Sequence, residues 1–394
     1  MAPEWIAANA NALKFRDLTT RRRWYNFGMK IILIGPVYPY RGGIAYVTTH
    51  LANTLMAAGH QIKVISFSRQ YPGFLYPGKN DKDPSQQPIK IPADYLLDPL
   101  YPWTWFNTSK AAAEFQPDLI ILTWWTTFWA PAYFALCKLL GKRARIALLI
   151  HNAIPHEARF YDRWLTKLVF RRADHYIVLS QRESRRLTEI IPDAAPYLCD
   201  LPLHDISQTR LSKSEARAAL NLPQVKHVLL FFGIVRPYKG LNILLEALAI
   251  LKQRRKSPYL LIAGEFWEDI KDYEAKIHSL GLLDLVRIDN RYIPNEEVGV
   301  FFSAADLFVA PYIDGTQSGA ISVAMSQNVP ILATDRIAGD LAWVSKVPAG
   351  DAEALADGII NCLKEPGILS QHHSQTDNSW SGITELLNGI RKTS

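Results

Sequence analysis

The chain has 394 residues, a net charge of +7, 48 % hydrophobic and 21 % charged residues, a composition that excludes a disordered chain and predicts a globular protein of two domains. Cys137, Cys199 and Cys362 stand far apart with no CxxC pair, which argues against a disulfide framework or a zinc site and suits a reducing compartment. The first 28 residues carry Arg21, Arg22 and Arg23 but no apolar core of a signal peptide, so they are read as a loose extension ahead of "MKIILIGP".

In chain order, short apolar runs alternate with helix-length amphipathic segments. "IILIG" is read as a strand, followed by a helix from Ile44 to Ala58, Gly59 as its stop, and the strand "IKVISF". Tyr71 to Pro102 is Pro-rich and is expected to be an ordered surface loop. The uncharged stretch from Leu119 to Cys137, "LIILTWWTTFWAPAYFALC", has the length of a membrane span. Pro131 interrupts it and Asp118 and Lys138 bracket it, so it is read as a buried strand, a Trp-rich loop and a helix. "RIALLIHN" and "HYIVLS" supply further strands, and the stretch near 200–217 is read as a linker. From His227 the pattern restarts with "HVLLFFG", "IVRPYKG", a helix from Leu241 to Arg255, then "YLLIAG", "VRI", "DLFVAP" and "VPILAT". This repetition predicts an α/β protein of two Rossmann-like, doubly wound parallel-sheet domains facing across a cleft, with binding sites at the carboxyl ends of the strands.

Charge divides between the halves. Residues 1–205 hold 25 Lys+Arg against 16 Asp+Glu, and residues 206–394 hold 19 against 21. A basic first half suits an anionic lipid surface or a phosphate-bearing substrate. Much of the excess lies between Arg159 and Arg186, where cations interleave with Trp164, Leu165, Leu168, Val169 and Phe170. That pattern fits either a solvated helix face over a core stripe or a reversible contact with an anionic membrane. No nucleic-acid fold motif or regular spacing of stacking aromatics is present, so nucleic acid is not an expected partner.

Four sites follow from the residues. Gly42 and Gly43 come after "IILIG", where a strand-to-helix loop brings N–H groups close to a ligand or simply turns tightly. Arg236 and Lys239, directly after the strand "HVLLFFG", can neutralise a diphosphate or stand as solvated charges on an exposed turn. Thr316, Gln317, Ser318 and Gly319 precede "AISVAM", so N–H groups and a positive helix end point at whatever fills the cleft. Asp314, ahead of them, either accepts from sugar hydroxyls or forms an Asp-Gly turn. His151 ends a strand of the first half and is expected across the cleft, as a chemical or a structural histidine. Neither strand-to-helix loop reads GxGxxG, which disfavours a nicotinamide-dependent dehydrogenase.

From Met29 onward the chain resembles a bacterial family 4 (group 1) glycosyltransferase, a retaining group with the GT-B fold. The resemblance rests on "PYRGGIAYV", "SFSRQYPGFLYPGK", "HNAIPHE", "FFGIVRPYKGL", "LLIAGEFWED", "RYIPNEEV", "ADLFVAPY", "TQSGAISVAMSQNVPILATD" and "PAGDAEALADGI", in that order over roughly nine tenths of the chain. It implies an acceptor-binding domain at 29–205, a nucleotide-sugar-binding domain at 206–370, and a C-terminal helix at 371–394 that carries Trp380 and packs back on the first domain. By the same resemblance Arg236 and Lys239 grip the donor diphosphate, Gly264 and Glu265 lie near the nucleotide, and Tyr292 and Ile293 meet the base. His151 stands beside the donor sugar, and Gly42 and Gly43 belong to the loop that closes on it. His151, Asp314, Arg236 and Lys239 are thus the candidate catalytic groups.

The implied activity is metal-free, cofactor-free transfer from a nucleotide sugar to a glycan or polyprenyl-diphosphate-linked acceptor with retention, in cell-surface polysaccharide biosynthesis. The implied location is cytoplasmic, peripheral on the inner membrane face. The chain departs from the family where two glutamates are usual: those places hold Gly315 and Val323. Asp314 adjoins the first, but Val323 cannot bind ribose hydroxyls, which leaves open a non-catalytic sugar-nucleotide-binding partner.

Overall fold

The computed structural model describes residues 28–73, 76, 78–155, 158–199, 211–315, 318–339, 341, 343–364 and 380–393. The first lobe contains β1 (Lys30–Ile34), α1 (Gly43–Ala57), β2 (Gln61–Phe67), β3 (Asp94–Leu97), α2 (Pro102–Phe115), β4 (Leu119–Trp124), α3 (Ala130–Leu140), β5 (Arg145–Ile150), α4 (Asp162–Phe170), β6 (His175–Val178), α5 (Gln181–Ile190) and β7 (Pro196–Leu198). Its seven parallel strands run in the order 3-2-1-4-5-6-7. The second lobe contains α6 (Lys213–Ala219), β8 (Val228–Phe232), α7 (Leu241–Gln253), β9 (Tyr259–Ala263), α8 (Ile270–Ser279), β10 (Val286–Asp289), α9 (Asn295–Ala304), β11 (Leu307–Ala310), α10 (Gly319–Ser326), β12 (Ile331–Thr334), α11 (Asp335–Ala338), β13 (Ser345–Val347) and α12 (Ala352–Lys364). Its six parallel strands run 10-9-8-11-12-13, the same winding less one edge strand.

Helices cover both faces of each sheet, so the central strands are apolar throughout rather than alternating. Every residue of β4 is buried. In the first lobe α2 to α5 close one face and α1 the other. The last helix, α13 (Ser381–Thr393), joins that second face through Ile383, Leu386, Leu387 and Ile390. Trp380, just ahead of it, is buried there and its Nε1 donates to His50 Nδ1 at 3.1 Å. The expected boundaries at 205/206 and 370/371 lie outside the described residues.

One sequence expectation is met and two change. The span-like segment becomes β4, one 3-10 turn and α3, and among the described residues no helix is long and apolar enough to cross a membrane. The expected linker reaches too far. Ser212 and Glu215 form a reciprocal capping box that starts α6. Arg217 of that helix is buried, donating from Nε to the Ala304 carbonyl at 3.1 Å and pairing with Asp306 at 2.5 Å, so the second lobe begins before His227. The Pro-rich stretch is also more than a surface loop. It contains the edge strand β3, and it docks on the second lobe, where Asn295 N donates to Ser85 Oγ and Gln86 N donates to Glu296 Oε1, each at 3.0 Å.

Candidate active site

In each sheet the winding reverses beside a central strand, β1 next to β4 and β8 next to β11, and loops leaving such neighbours splay apart into a crevice. The two crevices face each other and enclose a cavity of about 1100 Å³ lined from both lobes.

The second lobe lines it with Gly233, Arg236, Lys239, Gly264, Ser318 and Gly319. After β8 the chain makes a single 3-10 turn, Pro237–Lys239, and Gly240 then adopts φ 66° to start α7. A Cβ at Gly240 would lie 2.0 Å from the Pro311 carbonyl oxygen, so only glycine lets this turn press against the loop after β11. A Cβ at Gly264 would likewise lie 2.0 Å from the Gly233 oxygen, which brings the loops after β8 and β9 together. The Lys239 ammonium sits deep in the crevice, 5.1 Å from the Tyr312 ring centroid, although the residue as a whole is only half-buried. Desolvation, the largest cause, holds its pKa below the ordinary lysine value; Tyr238 opposes this and the neighbouring Arg236 charge adds to it. The Arg236 guanidinium lies 5.4 Å from the Trp267 ring and 5.8 Å from that of Tyr238. Ser318 caps α10, its Oγ accepting from Ile321 N at 3.3 Å, so the first-turn N–H groups open into the same cavity. Two cations and a positive helix end thus converge on one space. Such a set stabilises a diphosphate or the negative charge that grows as one departs.

The first lobe contributes Gly42 and Gly43 at the start of α1 and His151 at the end of β5. His151 is 9 % exposed and its backbone N donates to the Trp124 carbonyl at 2.8 Å. Gly264, Glu265, Tyr292 and Ile293 also line the cavity. Glu265, however, is occupied by the first lobe: it accepts from the Arg41 guanidinium, from Lys79 N at 2.8 Å and from Trp267 Nε1 at 3.2 Å. Arg41 also lies 4.7 Å over the Tyr292 ring. Sequence reasoning passed over Arg41 although it adjoins the Gly42–Gly43 pair, and passed over Trp267 within "GEFWED"; the partner of Arg41 lies 224 residues away, and the contact of Trp267 with Glu265 two residues before it marks no site by itself.

The structure brings together every called residue in its described portion except Asp314. That carboxylate, expected at sugar hydroxyls, lies outside the cavity lining and faces the first lobe, where Arg182 Nη2 donates to Oδ1 at 2.5 Å and Arg186 lies 3.9 Å from Oδ2. The reason is tertiary: α5 carries two arginines to the rim opposite the loop, and paired charge at that rim draws the carboxylate away from the cavity. Val323 is 2 % exposed and packs into the apolar cluster around α9 and α10, with one edge on the cavity. Thr316 and Gln317 lie outside the described residues. Among the described residues no group of three or more His, Cys, Asp or Glu could hold a metal ion.

Two parallel-sheet lobes of matching topology around one crevice define the GT-B architecture. Two family models match in tandem, "Glycosyltransferase Family 4" over residues 41–195 and "Glycosyl transferases group 1" over residues 226–365, and the chain belongs to the family 4, group 1 glycosyltransferases. It is 29 % identical over 194 residues to a phosphatidyl-myo-inositol mannosyltransferase of Mycobacterium leprae, covering 46 % of this chain and 50 % of the relative. It is 27 % identical over 212 residues to a GDP-mannose:glycolipid 4-beta-D-mannosyltransferase of Xanthomonas campestris, covering 52 % and 54 %. The chain therefore spans about half the length of these curated relatives. The fold is also that of Anabaena HepE in complex with UDP and glucose, at TM-score 0.70 and 17 % identity over 92 % of this chain and all of the other. Sucrose-phosphate synthase of Thermosynechococcus elongatus matches at TM-score 0.70 and 19 % identity over 92 % and 98 %.

Proposed function

We propose that this chain transfers a sugar from a nucleotide-sugar donor, held by the second lobe, to a glycan or polyprenyl-diphosphate-linked acceptor held by the first, in building a cell-surface polysaccharide. The observation that carries this is the convergence of Arg236, Lys239 and the start of α10 on a cavity whose opposite wall holds His151 and the Gly42–Gly43 loop. The second lobe stabilises the departing diphosphate without a metal or other cofactor, because fixed cations and helix-end N–H groups in a closed crevice offset the growing charge. Of the carboxylates that line the cavity, Asp81, Asp83, Glu265 and Glu268, Glu265 is engaged by Arg41, Lys79 N and Trp267 Nε1 and Glu268 by Tyr273 Oη. Attack from the face of the leaving group, with the phosphate oxygen taking the acceptor's proton and the anomeric configuration retained, is taken from the likeness to the retaining family. Likeness to the two mannosyltransferases, one named for a GDP-mannose donor and a glycolipid acceptor, supports the donor and acceptor classes.

A panel of UDP-, GDP- and ADP-sugars, followed by NMR of the anomeric proton in donor and product, tests this reading. Transfer with inversion would sink the mechanism. Binding of a nucleotide sugar with neither hydrolysis nor transfer would favour a second reading, a non-catalytic partner, which Val323 in the place of a carboxylate supports.

The first lobe offers a means of working at a cytoplasmic membrane face. Phe160 is 95 % exposed and Trp164 of α4 is 65 % exposed, beside the exposed Arg159, Arg163, Arg171 and Arg172. The core stripe expected of this segment is narrower, with Trp164 outside it and Val169 and Phe170 within. Aromatic rings flanked by cations suit the interface of an anionic bilayer. Cosedimentation with phosphatidylglycerol vesicles should fall when Phe160 and Trp164 are replaced by serine; equal binding to neutral vesicles would refute it.

A further inference from the structure

The first turn of α5 touches both walls of the crevice. On one side the Glu183 carboxylate, fully buried, accepts from the backbone N of Ala153, in the loop that carries His151 and Asn152. That loop is fastened again behind, where the Ala153 carbonyl accepts from Trp124 Nε1 at 3.3 Å and from Thr166 Oγ1 at 3.2 Å. On the other side Arg182, the adjacent residue, donates from Nη1 to the Gly315 carbonyl and from Nη2 to Asp314 at 2.5 Å. Arg186 joins the two, donating to Glu183 at 3.0 Å and lying 3.9 Å from Asp314. The loop that Arg182 holds is itself part of the cationic wall: Ile313 N donates at 2.7 Å to the carbonyl of Tyr238, which precedes Lys239, and three residues beyond Gly315 Ser318 caps α10.

We infer that Arg182, backed by Glu183, is a positioning residue for glycosyl transfer: α5 grips the His151 loop and the 313–315 loop together, and so fixes the spacing between the two halves of the site. A guanidinium suits this role because its rigid planar fork of donors lets one side chain hold the Gly315 carbonyl and the Asp314 carboxylate together. A lysine offers a point charge and no such fork. Closing the cleft and assembling the site are then one event, since the contact that shuts this rim also holds the turn bearing Lys239. This rests on the transferase reading for its kinetic consequence but not for its structural one.

Hydrogen exchange on the full chain therefore comes first. Arg182→Ala should speed amide exchange in 311–315 and 318–320 and also across the crevice in 150–153, and Glu183→Gln should do the same, while β8 and β9 keep their protection. A change confined to the loop touching the substituted side chain would overturn the inference whether or not the protein is an active transferase. The kinetic arm uses hydrolysis or transfer from UDP-glucose and GDP-mannose. Arg182→Ala should lower kcat by about tenfold or more through misplacement of the two walls, with the Kd of UDP or GDP changed by less than about threefold, because the diphosphate cations belong to one lobe. Arg182→Lys should recover only part of kcat, and the double variant of Arg182→Ala with Asp314→Ala should be no slower than Arg182→Ala alone. Loss of nucleotide affinity in step with kcat, or additive losses, would show a general structural defect and overturn it.

Discussion

The two rims of the crevice are both closed by an arginine of the first lobe and a carboxylate of the second, yet the two pairs differ in kind. On one rim Arg41 and Glu265 are 5 % and 3 % exposed, and two further donors, Lys79 N and Trp267 Nε1, complete the glutamate's shell. On the other, Arg182 and Asp314 are 34 % and 31 % exposed. A buried charge engaged at both oxygens is costly to strip of its partner, whereas a half-wetted pair is screened and can part and re-form. The molecule thus has one rim built as a fixed seam and another able to open.

The largest effect should come from cutting the seam. Glu265→Ala leaves the Arg41 guanidinium buried without its counter-charge, a change that costs about 3–5 kcal/mol when the site cannot relax. Urea denaturation monitored by tryptophan fluorescence should show it, with Asp314→Ala costing far less; equal losses would erase the contrast between rims.

Next in size is the chemistry between the rims. Lys239→Ala should lower turnover on the order of a hundredfold or more, as removal of one fixed donor to developing charge does. Near-normal turnover would refute the site. The lowered pKa of Lys239 in the free protein also sets the sign of a pH effect. A bound diphosphate raises that pKa, so binding takes up a proton between the two values, and affinity for UDP or GDP, full below the free value, should decline as pH rises through it. Calorimetry in buffers of different ionisation enthalpy reads this directly; no proton uptake and no decline with pH would remove Lys239 from the phosphate site.

The smallest effect belongs to salt. At 1 M the Debye length shrinks to about 3 Å, so the Arg182–Asp314 rim should loosen, with exchange in 313–315 rising severalfold while Lys79 N, bound to Glu265, stays protected. Equal salt sensitivity on both rims would make them the same device.

Much of the fold was legible because local patterns carried it. Runs such as "IILIG", "LIIL" and "HVLLFFG" announce buried parallel strands, and Gly59 and Gly240 mark helix boundaries where the structure places them. The linker was overextended because the Ser212–Glu215 capping box went unread, and β3 was missed because four residues at a sheet edge, half of them exposed, carry almost no hydrophobic signal. In the site, Arg236, Lys239 and Ser318–Gly319 were visible because each adjoins a strand end or a helix start. Arg41, Arg182 and Glu183 were not, since the partners that tie them to the site lie 224, 132 and 30 residues away; the local contacts, Trp267 with Glu265 and Arg186 with Glu183, say nothing of a site by themselves.

The sequence alone determined two Rossmann-like units and the loops that present charge at their strand ends, because period, glycine placement and strand-to-helix order are local properties of the chain. Only the tertiary structure decided which charges face the cavity and which face each other. Asp314 turned to Arg182, and Glu265 to Arg41, because a carboxylate's partner is whichever cation the packing of two lobes brings within about 3 Å, and that choice is written in no single segment.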